Sequence, residues 1–279
     1  VLAEVYLALN DIESAANQAE FLSRRDATIA NNLRRLIGKR RIDSWGDQAD
    51  KEGAPVTDMA VLLASVKAKN KSLDTYQTYV MIGDGKIPVV AWDVDYVAPD
   101  RFSVEQGVWR DQGVVLNKWI AVSGEVFTFL GAWIRDSERV SGYDDLSEKL
   151  RIDKWLDMLS EGNNVVAERI SVNEVPKIRL EFEPARVRGF FRQPITENVT
   201  KQTVAIWLDQ DSKFIQRAVL TVGTVDEKEK PIEVIYEQTF FNQNLDLKVE
   251  VPENVVESGQ LGRASADPAP TTNDGDTSE

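Results

Sequence analysis

Residues 204–223 read VAIWLDQDSKFIQRAVLTVG, two apolar runs around the polar segment Asp209-Gln210-Asp211-Ser212-Lys213. Two interpretations compete for this segment, a calcium loop and a tight turn between strands. An EF-hand loop needs a third oxygen ligand at the position of Lys213, a central glycine and a closing glutamate, and the first glycine after the segment is Gly223. Asp and Ser favour turns because their side chains accept hydrogen bonds from nearby backbone N–H groups. The sequence therefore predicts a β-hairpin here and no metal site.

Composition removes several classes of function. The chain has 279 residues, 42% of them hydrophobic, and a formal charge of −13, which argues against a general nucleic-acid binder. It contains no cysteine and no histidine, which excludes thiolate and imidazole catalysis and Cys or His metal sites. A carboxylate hydrolase using Asp93 or Asp95 is the weakest hypothesis, since both residues lie on the polar side of a strand pattern and are expected to face solvent. We predict no catalytic residue, no cofactor and no metal.

The N-terminal part of the chain is predicted to be helical and separate. Residues 1–45 have helical spacing, and Tyr6, Asn10, Ala15, Ala19 and Leu22 resemble the end of a tetratricopeptide repeat, a fold that binds protein partners. Seven basic residues between Arg24 and Arg41 indicate a solvated helix face or contact with an anionic membrane or acidic partner. Residues 46–55 have the composition of a linker.

The main domain is predicted over residues 56–256. A helix from Val56 to Lys71, with Thr57 as its N-cap, presents an apolar face made of Met59, Leu62, Leu63 and Val66. Alternating strands follow, clearest in AWDVDYVAP, where Trp92, Val94 and Tyr96 share one face, and in KIRLEFEP, where Ile178, Leu180 and Phe182 do. A second helix is predicted over residues 144–159, and residues 257–279 form an acidic tail that is disordered by composition.

Several landmarks in this domain resemble a known family. They are VAPDRF at a strand end, KWIAVSGEVFTFL in mid-chain, WLD at the strand end that enters the hairpin turn, and a final strand leading to Val251-Pro252. In this order they resemble the LolA-like lipoprotein-carrier superfamily, and within it the LppX/LprG-type lipid-binding lipoproteins, over residues 57–256. The lipid-acceptor cysteine of a lipoprotein is missing from this sequence. The resemblance implies an α+β fold, a strongly curved antiparallel half-barrel sheet with helices across its concave face, preceded here by a short N-terminal helical hairpin.

The function implied is binding of a lipid or a lipidated protein in an apolar cavity between sheet and helices, in the periplasm or on the extracellular face of the cell envelope. The alternative is a structural or assembly subunit with a filled cavity, docking a partner through residues 1–45. The aromatic residues of the strands fit either an ordinary core or a concave wall for an acyl chain. The candidate cavity-lining residues are Met59, Leu62, Leu63, Val66, Trp92, Val94, Tyr96, Phe102, Ile178, Leu180 and Phe182.

Overall fold

A computed structural model gives the fold of most of the predicted main domain. It describes residues 14–15, 18–19, 22, 33, 54–84, 88–110, 113–135, 149–172, 175–185, 187, 190, 199–225 and 229–257. The structure describes only six residues of the N-terminal segment, all of them helical: Ser14, Ala15, Gln18, Ala19, Leu22 and Leu33. The rest of the repeat-like interpretation concerns residues outside the described part. The predicted tail also lies outside the described part, apart from its first residue, Glu257.

The described part contains two full helices and thirteen strands. The helices are α1 (Met59–Lys71) and α2 (Asp153–Glu161). The strands are β1 (Ala54–Pro55), β2 (Thr75–Gly83), β3 (Pro88–Val97), β4 (Arg101–Arg110), β5 (Gly113–Val122), β6 (Glu125–Phe129), β7 (Trp133–Arg135), β8 (Asn163–Val172), β9 (Val175–Glu183), β10 (Lys201–Asp209), β11 (Ile215–Val225), β12 (Pro231–Phe241) and β13 (Val256–Glu257). No helix among the described residues is long and apolar enough to cross a membrane.

All of these strands form one open sheet built from two meanders. Strands β2 to β7 follow one another in space as they do in sequence, and so do β8 to β12. The two meanders meet where β12 pairs antiparallel with β2, from Ile235 opposite Gly83 to Phe241 opposite Gln77. We call this pairing the central seam. The α+β class and the half-barrel sheet predicted from the sequence are confirmed, with one parallel pair, β13 on β7, added at the edge.

Several local predictions need correction. The side chain that caps α1 belongs to Asp58 and not to Thr57, because the Asp58 carboxylate accepts the N–H of Val61 at 3.1 Å. The helix predicted over 144–159 is interrupted, since Lys149 and Leu150 are helical, the chain leaves the helix at Arg151, and α2 begins at Asp153. Asp95 is not solvated: it is 5% exposed and accepts a hydrogen bond from Gln77 at 2.7 Å.

Strand β8 was not predicted at all. Its buried residues Ala167, Ile170 and Val172 break the two-residue period, so the segment has no clean alternation. Ala54 and Pro55, the last residues of the predicted linker, form β1 on the edge of β8.

The concave side of the central seam is fixed by the segment that leads into α2. Trp155 Nε1 donates to Gln238 Oε1 at 2.7 Å, and Gln238 Nε2 donates to the carbonyl of Leu150 at 2.9 Å. The Tyr76 hydroxyl accepts the N–H of Ile152 at 3.2 Å. Burial raises the pKa of Tyr76, which keeps its hydroxyl neutral. These buried groups are therefore satisfied by one another, which gives α2 a single position on the sheet.

The convex side of the same seam is covered by the chain that follows β12. We call residues 242–257 the C-terminal strap. The N–H of Asn244 donates to the carbonyl of Thr75 at 2.8 Å, and the Thr75 hydroxyl donates to the carbonyl of Leu245 at 2.6 Å. Leu247 and Val249 are then buried against the sheet before the strap ends as β13. The seam is thus held on both faces.

Replacing Gln238 with Met tests how much the concave side of the seam contributes. The change keeps most of the volume but leaves the buried indole N–H of Trp155 without an acceptor. We expect the free energy of unfolding to fall by about 2–3 kcal/mol, measured by urea denaturation. Gln243→Met is the control, because Gln243 makes one longer bond, at 3.3 Å to the carbonyl of Ile215, in a partly buried place. Equal losses in the two variants would contradict this assignment.

Candidate functional site: the concave face

The predicted cavity-lining residues all lie in or against one hydrophobic core. Eight of them are buried, and Met59, Leu63 and Trp92 are partly buried against the rest. They form two separate walls, however. Ile178, Leu180 and Phe182 lie on β9, whereas Trp92, Val94, Tyr96 and Phe102 lie on β3 and β4. Five strand spacings separate β9 from β3, or about 24 Å along the sheet.

The space between these walls is filled over the central seam. Trp155 is fully buried there, with its ring centroid 5.1 Å from that of Phe190 and 5.9 Å from that of Tyr236. Tyr76 stacks on Tyr96 at 4.6 Å and meets Phe240 edge-on at 5.5 Å. Trp155 has no exposed surface, and Tyr236 and Phe240 are at most 2% exposed, so the packing around them leaves no room for an acyl chain. The middle of the concave face is therefore packed protein, and two wings remain on either side of it.

Helix α1 lies over the wing formed by β8 to β11. Just before the helix, the N–H of Val56 donates to the carbonyl of Ala167 on β8 at 3.0 Å. At the other end, Asn70 Nδ2 donates to the carbonyl of Lys213 at 2.9 Å, and Asn70 Oδ1 accepts the N–H of Ile215 at 2.9 Å. Val66 and Leu180 have no exposed surface. We call this the β8–β11 wing, and it is closed by direct packing.

The wing formed by β3 to β6 is less completely covered. Val94, Phe102 and Val104 are buried near the seam, but Trp92 and Trp119 are only partly buried. The register of β3, β4 and β5 places both tryptophans on the same concave side as Val94. Sequence reasoning named Trp92 and missed Trp119, although Trp119 and Ala121 alternate in KWIAV as core residues do. We call this the β3–β6 wing.

A small polar cavity adjoins this wing at the end of the sheet. Its volume is about 200 Å³, and Tyr96, Pro99, Arg151 and Asp153 are among its lining residues. Arg151 and Asp153 form an ion pair at 2.7 Å, and the Tyr96 hydroxyl donates to the carbonyl of Pro99 at 3.2 Å. These polar groups are thus already paired in the cavity wall, which also contains the apolar residues Leu73, Ala98 and Ile152. Among the described residues no group of acidic side chains is arranged to hold a metal ion.

The polar segment of residues 209–213 is a turn, as predicted. Strands β10 and β11 pair antiparallel on either side of it. Asp209 Oδ1 accepts the N–H and the hydroxyl of Ser212, each at 2.8 Å, and the N–H of Asp211 at 3.2 Å. Burial alone would raise the pKa of Asp209, but the hydrogen bonds from Ser212 and the charge of Lys177 together lower it. The carboxylate is occupied with closing the hairpin.

Three solved structures are similar to this chain. LprF from Mycobacterium bovis matches 72% of this chain and 99% of its own, with a TM-score of 0.52 and 13% sequence identity. Over the matched part, the chain has the fold of LprF. MucB in complex with MucA(peri) matches 70% of this chain and 60% of its own, with a TM-score of 0.35 and 10% identity. A LolA superfamily protein from Nitrosomonas europaea matches 71% of this chain and 96% of its own, with a TM-score of 0.27 and 9% identity.

The fold assignment rests on LprF, because the other two TM-scores are below 0.5. No family model and no curated protein sequence matches the chain.

Replacing Asp209 with Ala tests the turn against the calcium loop. We expect the variant to lose about 2 kcal/mol of unfolding free energy, since three donors lose their acceptor, and Asp211→Ala to stay within about 0.5 kcal/mol of the wild type. Calcium should leave the melting temperature of the wild type unchanged, and a calcium-dependent rise would contradict the turn assignment.

The pKa of Asp209 is lower in the folded state than in the unfolded chain, so its carboxylate stabilises the fold at pH values above the ordinary pKa of an aspartate. This stabilisation is lost as pH falls through the lowered pKa of the folded state. The gap between wild type and Asp209→Ala should therefore shrink on acidification.

Proposed function

We propose that this chain is a non-enzymatic cell-envelope protein that binds a lipid, or the acyl chain of a lipidated protein, against the β3–β6 wing. The observation that carries the proposal is the pair Trp92 and Trp119, two large aromatic residues left partly exposed beside a closed core in an LprF-like fold. The described residues offer no cluster of acidic side chains for metal-assisted chemistry. The proposed ligand contact is therefore mainly apolar.

The apolar contact is large enough in free energy to account for binding. A chain of about twelve methylenes buried at ~0.8 kcal/mol each would contribute on the order of 10 kcal/mol before the costs of association. Burial of that kind requires no charged anchor. The filled centre of the concave face limits the chain to one wing, so a single acyl chain is a better fit than a large multi-chain lipid.

The proposed location is the periplasm or the extracellular face of the envelope. The sequence resemblance of residues 57–256 to the LolA-like superfamily supports this, and the basic residues between Arg24 and Arg41 would favour peripheral contact with an anionic membrane surface. Those seven basic residues lie outside the described part of the chain.

A second function is favoured by one observation, the packing of Trp155 over the central seam. A half-barrel filled in this way could serve as a structural or assembly subunit, with residues 1–45 as the docking surface for a protein partner. In that case no lipid would be bound. The two functions differ in whether the β3–β6 wing holds a lipid chain.

Two tryptophan substitutions distinguish these functions. Val90 is partly exposed on the concave side, beside Trp92, so Val90→Trp should fill the wing and reduce uptake of a fluorescent C12 fatty-acid methyl ester at least tenfold with little loss of stability. Leu180 is fully buried in the β8–β11 wing, so Leu180→Trp should overpack it and lower the unfolding free energy by about 1–3 kcal/mol while uptake persists.

The measurements are fluorescence titration, urea denaturation and native mass spectrometry of gently purified wild type. A wild type that carries no amphiphile and takes up none of the ester would contradict lipid binding and support the structural function. Loss of uptake in Leu180→Trp alone would place the ligand in the other wing.

Removing residues 1–45 tests the docking role of that segment. If the segment is a separate docking unit, the shortened chain should keep the cooperative unfolding transition of the sheet and lose association with its partner, followed by sedimentation velocity once a partner is identified. A shortened chain that no longer unfolds cooperatively would show that the segment is part of the main domain.

A further inference from the structure

Four buried polar atoms on the concave side of the sheet have no hydrogen-bond partner in the described part of the chain. They are Trp92 Nε1, Trp119 Nε1, Thr128 Oγ1 and Thr224 Oγ1. Trp119 lies directly opposite Thr128 in the β5–β6 pair, and Trp92 is on β3 in the same wing, two strand spacings or about 10 Å from β5. Thr224 lies on β11, across the seam. Three of the four groups therefore belong to the β3–β6 wing.

Buried donors in native structures nearly always have a partner, and exceptions call for an explanation. At the seam the rule holds, because the indole of Trp155 donates to Gln238 at 2.7 Å. In the wing the same kind of group has none, and Thr128 is only 7% exposed. The wing therefore retains two N–H donors and one hydroxyl that no described residue uses.

The chemistry of these groups restricts what could complete them. An indole Nε1 can only donate, so its partner must offer an acceptor atom. Strand positions that face the same side, such as Val94, Phe102, Val104, Ala121 and Val126, are apolar, and Gln106 and Asn117 are neutral amides. An ionised carboxylate or phosphate would lose its hydration here without gaining a cation, because the nearby Arg151 is already ion-paired with Asp153 at 2.7 Å. A neutral carbonyl oxygen supplies an acceptor without that penalty.

We infer that Trp92, Trp119 and Thr128 form a polar subsite for the neutral carbonyl group of an acyl ester or amide. The inference rests on the proposed lipid function and adds a requirement to it: the ligand must carry a carbonyl at the head of its hydrocarbon chain. The indole N–H groups donate to the carbonyl oxygen or oxygens, and the Thr128 hydroxyl takes part as a further donor. The apolar residues around them hold the chain.

Access to the subsite involves a movement. The indole nitrogens are shielded from solvent, whereas the two rings are partly exposed. A carbonyl therefore reaches the nitrogens only after a ring has turned or its neighbours have moved aside. Ligand binding should accordingly change the environment of both indole N–H groups, which can be followed individually by NMR.

The test uses two ligands that differ only in the carbonyl, 1-monolauroylglycerol and 1-O-dodecylglycerol. We expect the wild type to bind the ester about tenfold more tightly than the ether, the ratio that one well-made hydrogen bond supplies. Trp92→Phe, Trp119→Phe and Thr128→Val should each lower this ratio toward one. Trp207→Phe is the matched control, because Trp207 lies on the convex face under Arg217, with the guanidinium 4.9 Å from the ring centre, and should keep the full ratio.

A second measurement covers variants that fold poorly. In the wild type labelled with ¹⁵N, the ester should shift the indole N–H signals of Trp92 and Trp119 downfield, and the ether should not. If both ligands bind the wild type equally and the indole signals respond alike, the carbonyl subsite is wrong while lipid binding stands. If neither ligand binds the wild type, both the subsite and the proposed function are wrong.

Discussion

The pairing of β12 with β2 is the contact on which the rest of the structure depends. It is the only connection described between the two meanders within the sheet, and it lies at the centre of the strand order. Both faces of the pairing are secured by hydrogen bonds. On the concave side, Trp155 and the segment before it make buried ones, and on the convex side the C-terminal strap makes partly buried ones. A buried polar network of this kind is favourable only when every member is satisfied, so it selects one register and one helix position.

The same network determines where a ligand could lie. Because Trp155 occupies the middle of the concave face, the half-barrel does not offer one broad cavity along its whole width. Helix α1, with Asn70 at one end and Val56 just before the other, closes the β8–β11 wing. The β3–β6 wing retains partly exposed aromatic rings and unused donors. The packing that stabilises the sheet therefore leaves its two wings differently covered.

Sequence patterns were informative wherever a strand has one buried and one open face. The alternation in AWDVDYV and KIRLEFE correctly grouped Trp92 with Tyr96 and Ile178 with Phe182, and the turn chemistry of Asp209 predicted the hairpin. Prediction failed where burial comes from distant segments. Asp95 was assigned to solvent because nothing in its own strand indicates that Gln77 lies opposite it on β2 and binds its carboxylate. Strand β8 was missed because its buried residues do not alternate. The separation of the candidate residues into two walls depends on strand order, which local periodicity does not contain.

The two-meander construction also has a consequence for how the chain reaches its structure. Most neighbouring strands are joined by short turns, whereas the seam brings Gln77 beside Phe241, residues more than half the chain apart. In a flexible chain, closing a loop of that length costs about 3 kcal/mol more conformational entropy than closing a hairpin of a few residues. We therefore expect the two meanders to collapse as separate curved ribbons and to join last. The amides of β2 and β12 should then gain protection late in refolding. Simultaneous protection of all strands in pulsed hydrogen exchange would contradict this order. A chain interrupted before that step would expose two unfinished sheet edges at once, the arrangement most prone to pairing with another molecule.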